Sequence, residues 1–333
     1  MKDFAYARVD TVAGALQAMR QHPEALLVAG GTTAVDLLRE GVLAPELVID
    51  ISGLPLREIR VGREFTSIGA MVTNSDLAWN PAIQALYPVL SQALLSGASG
   101  QIRNMASVGG NLLQRTRCPY FRDLGAACNK RRPGSGCAAL EGFNRSHAIL
   151  GGSDHCVATH PSDFTVALTA LDARIQLLGP DGEREVPITE FYLIPENTPE
   201  RENVLKPGEL ILGVLLPHGT GGRKSQYLKV RDRQSYEFAL ASAAVAMDSA
   251  AGVMGGVRIA LGGVGTVPWR SREAEQVLEG KPPSRELFAA AGRAAIAGAR
   301  PLSDNSFKVA LIQRTLVSAL HELTGSAAAP LPA

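Results

Sequence analysis

The chemistry that can be read directly sits in four cysteines and two glycine pairs. Cys118, Cys128, Cys137 and Cys156 are all the cysteines of the chain, and they fall within one 39-residue stretch. Residues 1–10 (MKDFAYARVD) carry charges and no apolar run, so no signal peptide is expected and synthesis is expected in the cytoplasm. Clustered thiols without an export signal favour metal ligation over disulfides. The glycine pairs are Gly30-Gly31 in VAGGTTA (28–34) and Gly109-Gly110 in SVGGN (107–111). Glycine lets backbone N–H groups approach a phosphate with no Cβ in the way, and Thr32, Thr33 and Asn111 add polar side chains. Either loop alone reads as a plain turn; two together point to one extended phosphate-bearing ligand held between them. No G-x-G-x-x-G opens a βαβ unit and no G-x-x-x-x-G-K-[ST] occurs, so neither a Rossmann site nor a P-loop is supported.

The elements that must position these residues follow from periodicity. A capped amphipathic helix runs from Asp10-Thr11 to His22-Pro23, then a strand at 25–29, the glycine turn, and a helix over Val35–Glu40 ending at Gly41. Strands are expected at Leu47–Ile51 and 67–70, and Thr73–Asp76 suits a helix start. Residues 81–98 have helical spacing (Ile83, Leu86, Leu90, Leu94, Leu95), and 99–111 reads as a loop. Residues 112–160 have no sustained period and hold every cysteine; a loop of that length is more often functional than idle. Regularity resumes with Asp163 as expected N-cap of a helix over 164–172, a strand over Arg174–Leu178, a turn at Pro180-Asp181-Gly182 and a strand over Leu210–Leu216. The segment 218–224 is the best boundary. Beyond it come strands at Tyr227–Val230 and Val257–Leu261, a turn at Ala251-Gly252, helices near 270–280, 284–298 and 306–323, and a tail at 326–333; the alanine-rich 239–247 is ambiguous by period.

Composition narrows the class. The 333 residues are 46% hydrophobic with 33 Lys+Arg against 32 Asp+Glu, so two or three domains with a large core are expected and no electrostatic case arises for nucleic acid or an anionic membrane. No apolar run is long enough to span a bilayer.

Taken together, AGGTT (29–33), VTNSDL (72–77), QIRNMASVGGN (101–111), PSD (161–163) and the stretch 226–246 resemble the FAD-binding subunit of the xanthine dehydrogenase, carbon monoxide dehydrogenase and aldehyde oxidoreductase group, in order and spacing over about residues 1–325. The resemblance implies an α+β fold: a bipartite FAD domain of two α+β lobes (1–55 and 56–218), then a C-terminal domain (224–325) of a small antiparallel sheet beside helices, with 239–247 a strand. It implies that Leu26, Leu27, Val28, Ala29, Gly30, Gly31, Thr32, Thr33 and Ala34 wrap the FAD pyrophosphate with Thr73, Ser107, Gly109, Gly110 and Asn111. Ile102 would lie near the isoalloxazine, Asp163 would accept from the ribityl chain or ring, Ile211 would pack on the flavin and Lys229 would approach its polar edge.

One departure from the commoner pattern is the insert of 49 residues between Asn111 and Pro161. Four thiolates at C-x₉-C-x₈-C-x₁₈-C suffice for a [4Fe–4S] cluster, which some members of the group carry here. Arg115, Arg117, Arg122, Lys130, Arg131 and Arg132 would offset its negative charge, and His147, His155 and His160 read as solvated or hydrogen-bonded. Structural zinc and free or disulfide-linked thiols stay open as alternatives; zinc lacks its usual short C-x₂₋₄-C pairs. The implied function is electron relay. A molybdenum-cofactor large subunit and a small [2Fe–2S] subunit would oxidise an aldehyde-class substrate, and this chain's FAD would pass the electrons to an external acceptor. A 4-hydroxybenzoyl-CoA reductase-type subunit, a self-contained flavin oxidase and a zinc-stabilised binding module are the rivals. No acid–base or nucleophilic set for substrate chemistry is evident, and a route to the periplasm would be co-export with a twin-arginine partner.

Overall fold

The computed structural model describes residues 1–219, 222–250 and 252–325. The tail at 326–333, Thr220 and Gly221 of the boundary segment and Ala251 of the expected turn lie outside them. Three sheets follow one another along the chain. The first is built from β1 (Ala5–Arg8), α1 (Val12–Gln21), β2 (Leu26–Val28), α2 (Ala34–Arg39) and β3 (Leu47–Asp50). Its strands pair in parallel in the order β1-β3-β2. Thr11 caps α1 by accepting the Gly14 N–H.

β4 (Ile59–Val61) and β5 (Phe65–Gly69) open the second sheet, and α3 (Asn74–Trp79), α4 (Pro81–Leu86), α5 (Pro88–Ser96), α6 (Gly100–Met105) and α7 (Val108–Leu112) follow. The single helix expected over 81–98 is two helices. Pro88 has no N–H to continue the ladder and forces Tyr87 out of the helical region, to φ −143 and ψ 62. The expected loop at 99–111 contains α6 and α7, started by serine caps at Ser99 and Ser107; helices this short show no apolar period. After α8 (Pro119–Arg122) come α9 (Asp163–Ala170), β6 (Arg174–Gly179), β7 (Gly182–Pro187), α10 (Ile188–Phe191) and β8 (Leu210–Pro217). The sheet is antiparallel in the order β4-β5-β8-β6-β7. The cap of α9 is Ser162, whose hydroxyl accepts the Thr165 N–H, and not Asp163. That one-residue correction frees the Asp163 carboxylate.

The third sheet, β12-β11-β10-β9, is antiparallel and built from β9 (Ser225–Val230), β10 (Ala241–Ala250), β11 (Val253–Gly262) and β12 (Trp269–Arg270); α11 (Arg272–Leu278), α12 (Arg285–Ala294) and α13 (Phe307–Thr324) complete the chain. β10 explains its own alanines. Ala241, Ala243, Val245 and Met247 pack into the core under α11–α13, while Ala244 and Ala246 join the core of the preceding sheets. A strand buried on both faces loses its polar alternation, which is why its period is ambiguous. The fold is α+β, as the resemblance implies. No helix among the described residues is long and apolar enough to cross a membrane.

Candidate functional site

The two glycine loops meet. A Cβ on Gly30 would lie 1.7 Å from the Met105 carbonyl oxygen at the end of α6, and one on Gly109 would lie 3.2 Å from the Ala70 Cβ. Gly30 permits close approach of the first loop to the backbone at the end of α6, and Gly109 permits close packing on Ala70 at the end of β5. Gly31 has φ +73, the left-handed region that favours glycine. Gly110 is different: it is exposed, and its Cβ would meet nothing nearer than the Ser107 hydroxyl at 3.0 Å.

Gly110, Thr32 and Thr33 line two chambers at once. The first, about 930 Å³, is walled by residues 27–34, Ile51, Met71, Leu205 and Leu210 and is largely apolar. The second, about 1150 Å³, contains Ile102, Asn111, Asp163, Lys229 and the edge Tyr236–Phe238. Together they form one cleft with a glycine-threonine waist. Leu27 to Ala34, Ser107, Gly109 and Gly110 line it as a group, and Leu26 lies in β2 immediately before them. Thr73 caps α3 and bridges to Ser107, so it supports the second loop from behind. Ile211 lines the first chamber whereas Ile102, Asp163 and Lys229 line the second, so the residues assigned to one ring do not share a chamber.

Asp163 is held tightly. Tyr227 Oη donates to its Oδ1 at 2.6 Å, and Lys229 Nζ donates to Oδ2 at 2.7 Å and to the Ser96 carbonyl at 3.1 Å. The ion pair is nearly dry, with side chains 3% and 10% exposed. Tyr227 was missed in the sequence, although its i, i+2 spacing from Lys229 on a strand places both on one face. Burial pushes its phenol well above the usual range, and the Asp163 charge adds to that. Asn111 Oδ1 accepts from Ser162 Oγ at 2.7 Å and Gln114 Nε2 at 2.6 Å, tying the second glycine loop to the start of α9.

All four cysteines line one small cavity of about 280 Å³, with Tyr120, Phe121, Lys130 and His155. Cys118, Cys128 and Cys156 are buried and form a satellite apolar cluster with Leu37, Phe121 and Ala158. Cys128 and Cys137 face each other across an antiparallel bridge. Burial pushes the Cys118 thiol up to about 12 and raises Cys156 too, so metal loading would release protons. Among the described residues no three His, Cys, Asp or Glu side chains draw together as a site for a metal ion.

The basic residues of the insert depart from their expected role. Arg117 and Arg122 reach Asp36 at 2.8 and 2.7 Å, and Arg122 also reaches Glu40 at 2.7 Å. Arg115 pairs with Glu202, and Arg131 donates to the carbonyls of Tyr120 and Phe121. They staple the insert to α2 and to itself; of the six, Lys130 lines the cysteine cavity. His147 is buried with Nε2 3.2 Å from Cys118 Sγ, and burial pulls it down to about 4. His160, pulled down to about 3 by burial, stacks edge-on against Tyr192.

An α+β fold with two glycine loops at the waist of a two-chambered cleft is of a class that can hold an extended ligand, and comparison with known proteins says which class it is. The family model described as the FAD binding domain in molybdopterin dehydrogenase matches residues 2–219, and that of the CO dehydrogenase flavoprotein C-terminal domain matches residues 226–323. The chain belongs to the FAD-binding subunits of the molybdenum hydroxylase family, and it is an oxidoreductase subunit. It is 47% identical over 330 residues to the aldehyde oxidoreductase FAD-binding subunit PaoB of Escherichia coli, covering 98% of this chain and 100% of the relative. The carbon monoxide dehydrogenase medium chain of Hydrogenophaga pseudoflava is 28% identical over 283 residues, covering 84% of this chain and 81% of that one. A solved carbon monoxide dehydrogenase from the same organism superposes with a TM-score of 0.76 at 26% identity, over 98% of this chain and 99% of the other.

Proposed function

We propose that this chain is the electron-transfer subunit of a molybdenum-dependent aldehyde oxidoreductase and carries both FAD and a [4Fe–4S] cluster. The observation that carries the FAD assignment is the cleft: two chambers that share only a narrow waist of Thr32, Thr33 and Gly110 suit a dinucleotide with its pyrophosphate at the waist. α2 begins at that waist without a side-chain cap on Thr33, and its Val35 N–H is taken by the Gly31 carbonyl of the glycine loop. The apolar walls of the first chamber suit the adenine end, and Ile211, expected on the flavin, would then lie against the adenine. The second, with Ile102, Asp163 and Lys229, suits the isoalloxazine. A flavin can take up electrons one at a time from iron–sulfur carriers and release them singly or in pairs, while the protein would supply position and electrostatics. The aldehyde class rests on the 47% identity to an aldehyde oxidoreductase subunit across the whole chain.

For the cluster, the support is the donor set and its arrangement. In a [4Fe–4S] cube each thiolate binds a different iron, so four sulfurs spread around a cavity suit it better than a single ion does. Substrate oxidation belongs to a large molybdenum-cofactor subunit, with a small [2Fe–2S] subunit between it and this flavin; the final compartment follows that of the exported partner. The test is Gly110→Val, which fills the waist without touching backbone packing. It should abolish flavin absorbance while the far-UV circular dichroism stays unchanged. Full FAD occupancy in that variant overturns the assignment of the waist.

A further inference from the structure

One buried contact in the insert has no role in binding FAD and is not needed to complete a set of four cysteine ligands. His147 is 2% exposed, its Nε2 lies 3.2 Å from Cys118 Sγ, and its Nδ1 has no hydrogen-bond partner. A neutral imidazole carries one N–H. If that proton sits on Nε2 it has a sulfur acceptor; on Nδ1 it has none, and a buried donor without an acceptor costs about 1–3 kcal/mol. Once Cys118 is a thiolate the tautomer is settled, because only an Nε2–H can donate to it.

The backbone that carries the ring is held from outside the insert. Asn305 Nδ2 donates to the His147 carbonyl at 3.2 Å, and Lys308 Nζ donates to it at 3.1 Å as well as to the carbonyls of Ser146 and Gly263. Asn144 bonds Ser303 and Asp304 on the same side. Lys308 is fully buried, and its Nζ is spent on three backbone carbonyls. Cys118 also stands at the side nearest the second chamber. It lines the cysteine cavity and an intervening polar cavity, and its neighbour Arg117 lines that same polar cavity and the second chamber.

We infer that His147 is a positioning residue that donates Nε2–H to the Cys118 sulfur and thereby raises the reduction potential of the cluster at its flavin-facing corner. The inference rests on the cluster reading proposed above. Hydrogen bonds to ligand sulfur favour the reduced, more negative state of a thiolate-ligated cluster. The clamp from residues 303–308 fixes that bond from the C-terminal domain.

The test is His147→Phe, which keeps a ring of similar size but has no donor, in the full complex, read by iron content and by potentiometric titration of the cluster signal, with the FAD couple of the same sample as internal reference. The expected result is four irons retained, an unmoved FAD couple and a cluster potential lower by about 59 mV, a tenfold loss of the reduced form at fixed potential for a one-electron couple. Four irons with an unmoved cluster potential overturns the inference. Wild-type protein without iron overturns the cluster reading instead, a distinguishable failure. If the variant does not assemble its cluster, ¹⁵N-histidine-labelled protein in a His155→Ala background, reduced and examined by electron–nuclear double resonance, decides the matter. A weak ¹⁵N coupling supports the bond and its absence overturns it.

Discussion

The walls of the two-chambered cleft are strands, helix starts and the glycine loops between them, whereas residues 113–160 hold one short helix and are otherwise tied by turn-forming backbone hydrogen bonds and by side chains bonded to backbone groups. In the cleft, β2 feeds the first glycine loop into α2, and β5 hands over to Ala70, against which Gly109 packs. In the insert the recurring device is different: Arg131 donates to the carbonyls of Tyr120 and Phe121, Asn129 Oδ1 accepts the Gly136 N–H, and Lys130 donates to the Pro199 carbonyl. The cleft is thus expected to exist before its cofactor binds. Three cysteines share the insert's small core with Leu37, Phe121 and Ala158, so its order should depend in part on what they ligate.

The sharpest way to break that contrast is to remove one ligand. Cys128→Ser should eliminate the cluster's iron and raise hydrogen exchange across 113–160 to that of an open loop, while bound flavin stays at wild-type level. Iron at four per chain, or loss of flavin together with the insert, would show that the two regions are not independent in this way. Next come the glycines, which separate the two reasons for a missing Cβ. Gly30→Ala should cost stability, on the order of 1–3 kcal/mol for overpacking, because the Met105 carbonyl occupies the space. Gly110→Val should cost flavin alone. Thermal melts of both variants, with and without added FAD, read the difference, and equal melting losses would erase it.

The third test stays within the cleft. Lys229→Met leaves the Asp163 carboxylate buried with only Tyr227 for company, a change that for buried pairs costs about 3–5 kcal/mol. Denaturant unfolding should show it. A loss below about 1 kcal/mol would mean that solvent or cofactor already compensates Asp163. In the insert the corresponding staple is Arg122, its side chain 15% exposed, against Asp36 and Glu40. Arg122→Ala should cost roughly 1 kcal/mol, with raised exchange confined to 113–160.

The cleft was more legible in the sequence than the insert, for a physical reason. A phosphate loop needs glycines at fixed places, so AGGTT and SVGGN mark it whatever lies around them. Even so, the sequence did not tell Gly30, which is set by a neighbouring carbonyl, from Gly110, which faces the ligand. The cysteines marked the insert equally well, yet the partners of its arginines are set by tertiary approach: Arg122 finds Glu40 across 82 positions of chain. Charge near a cysteine cluster therefore read as cluster compensation when it is attachment. Short capped helices such as α6 and α7 also escaped, because five or six residues carry no period, and Asp163 was taken for the cap that Ser162 supplies.

The smallest expected effect concerns pH and Asp36, where the insert is tied to α2. Burial raises the Asp36 carboxyl, but the hydrogen bond and charge of Arg122, with Arg117 beside it, outweigh burial and leave it below the usual carboxylate range. A folded pKa below the unfolded one stabilises above the unfolded value, and that contribution disappears as pH falls through the folded one. The attachment should therefore hold at neutral pH and down to the ordinary carboxylate range, then weaken below it. Pepsin cleavage within 113–160, relative to cleavage within 225–262, should rise between pH 4 and pH 2. In Asp36→Asn the same ratio should start higher and climb less. Taking the variant against wild type cancels the acid lability of the proposed cluster, which both would share. Parallel profiles would mean that Glu40 and Glu202 carry the attachment without Asp36, and the insert would then be anchored at one fewer point than the geometry indicates.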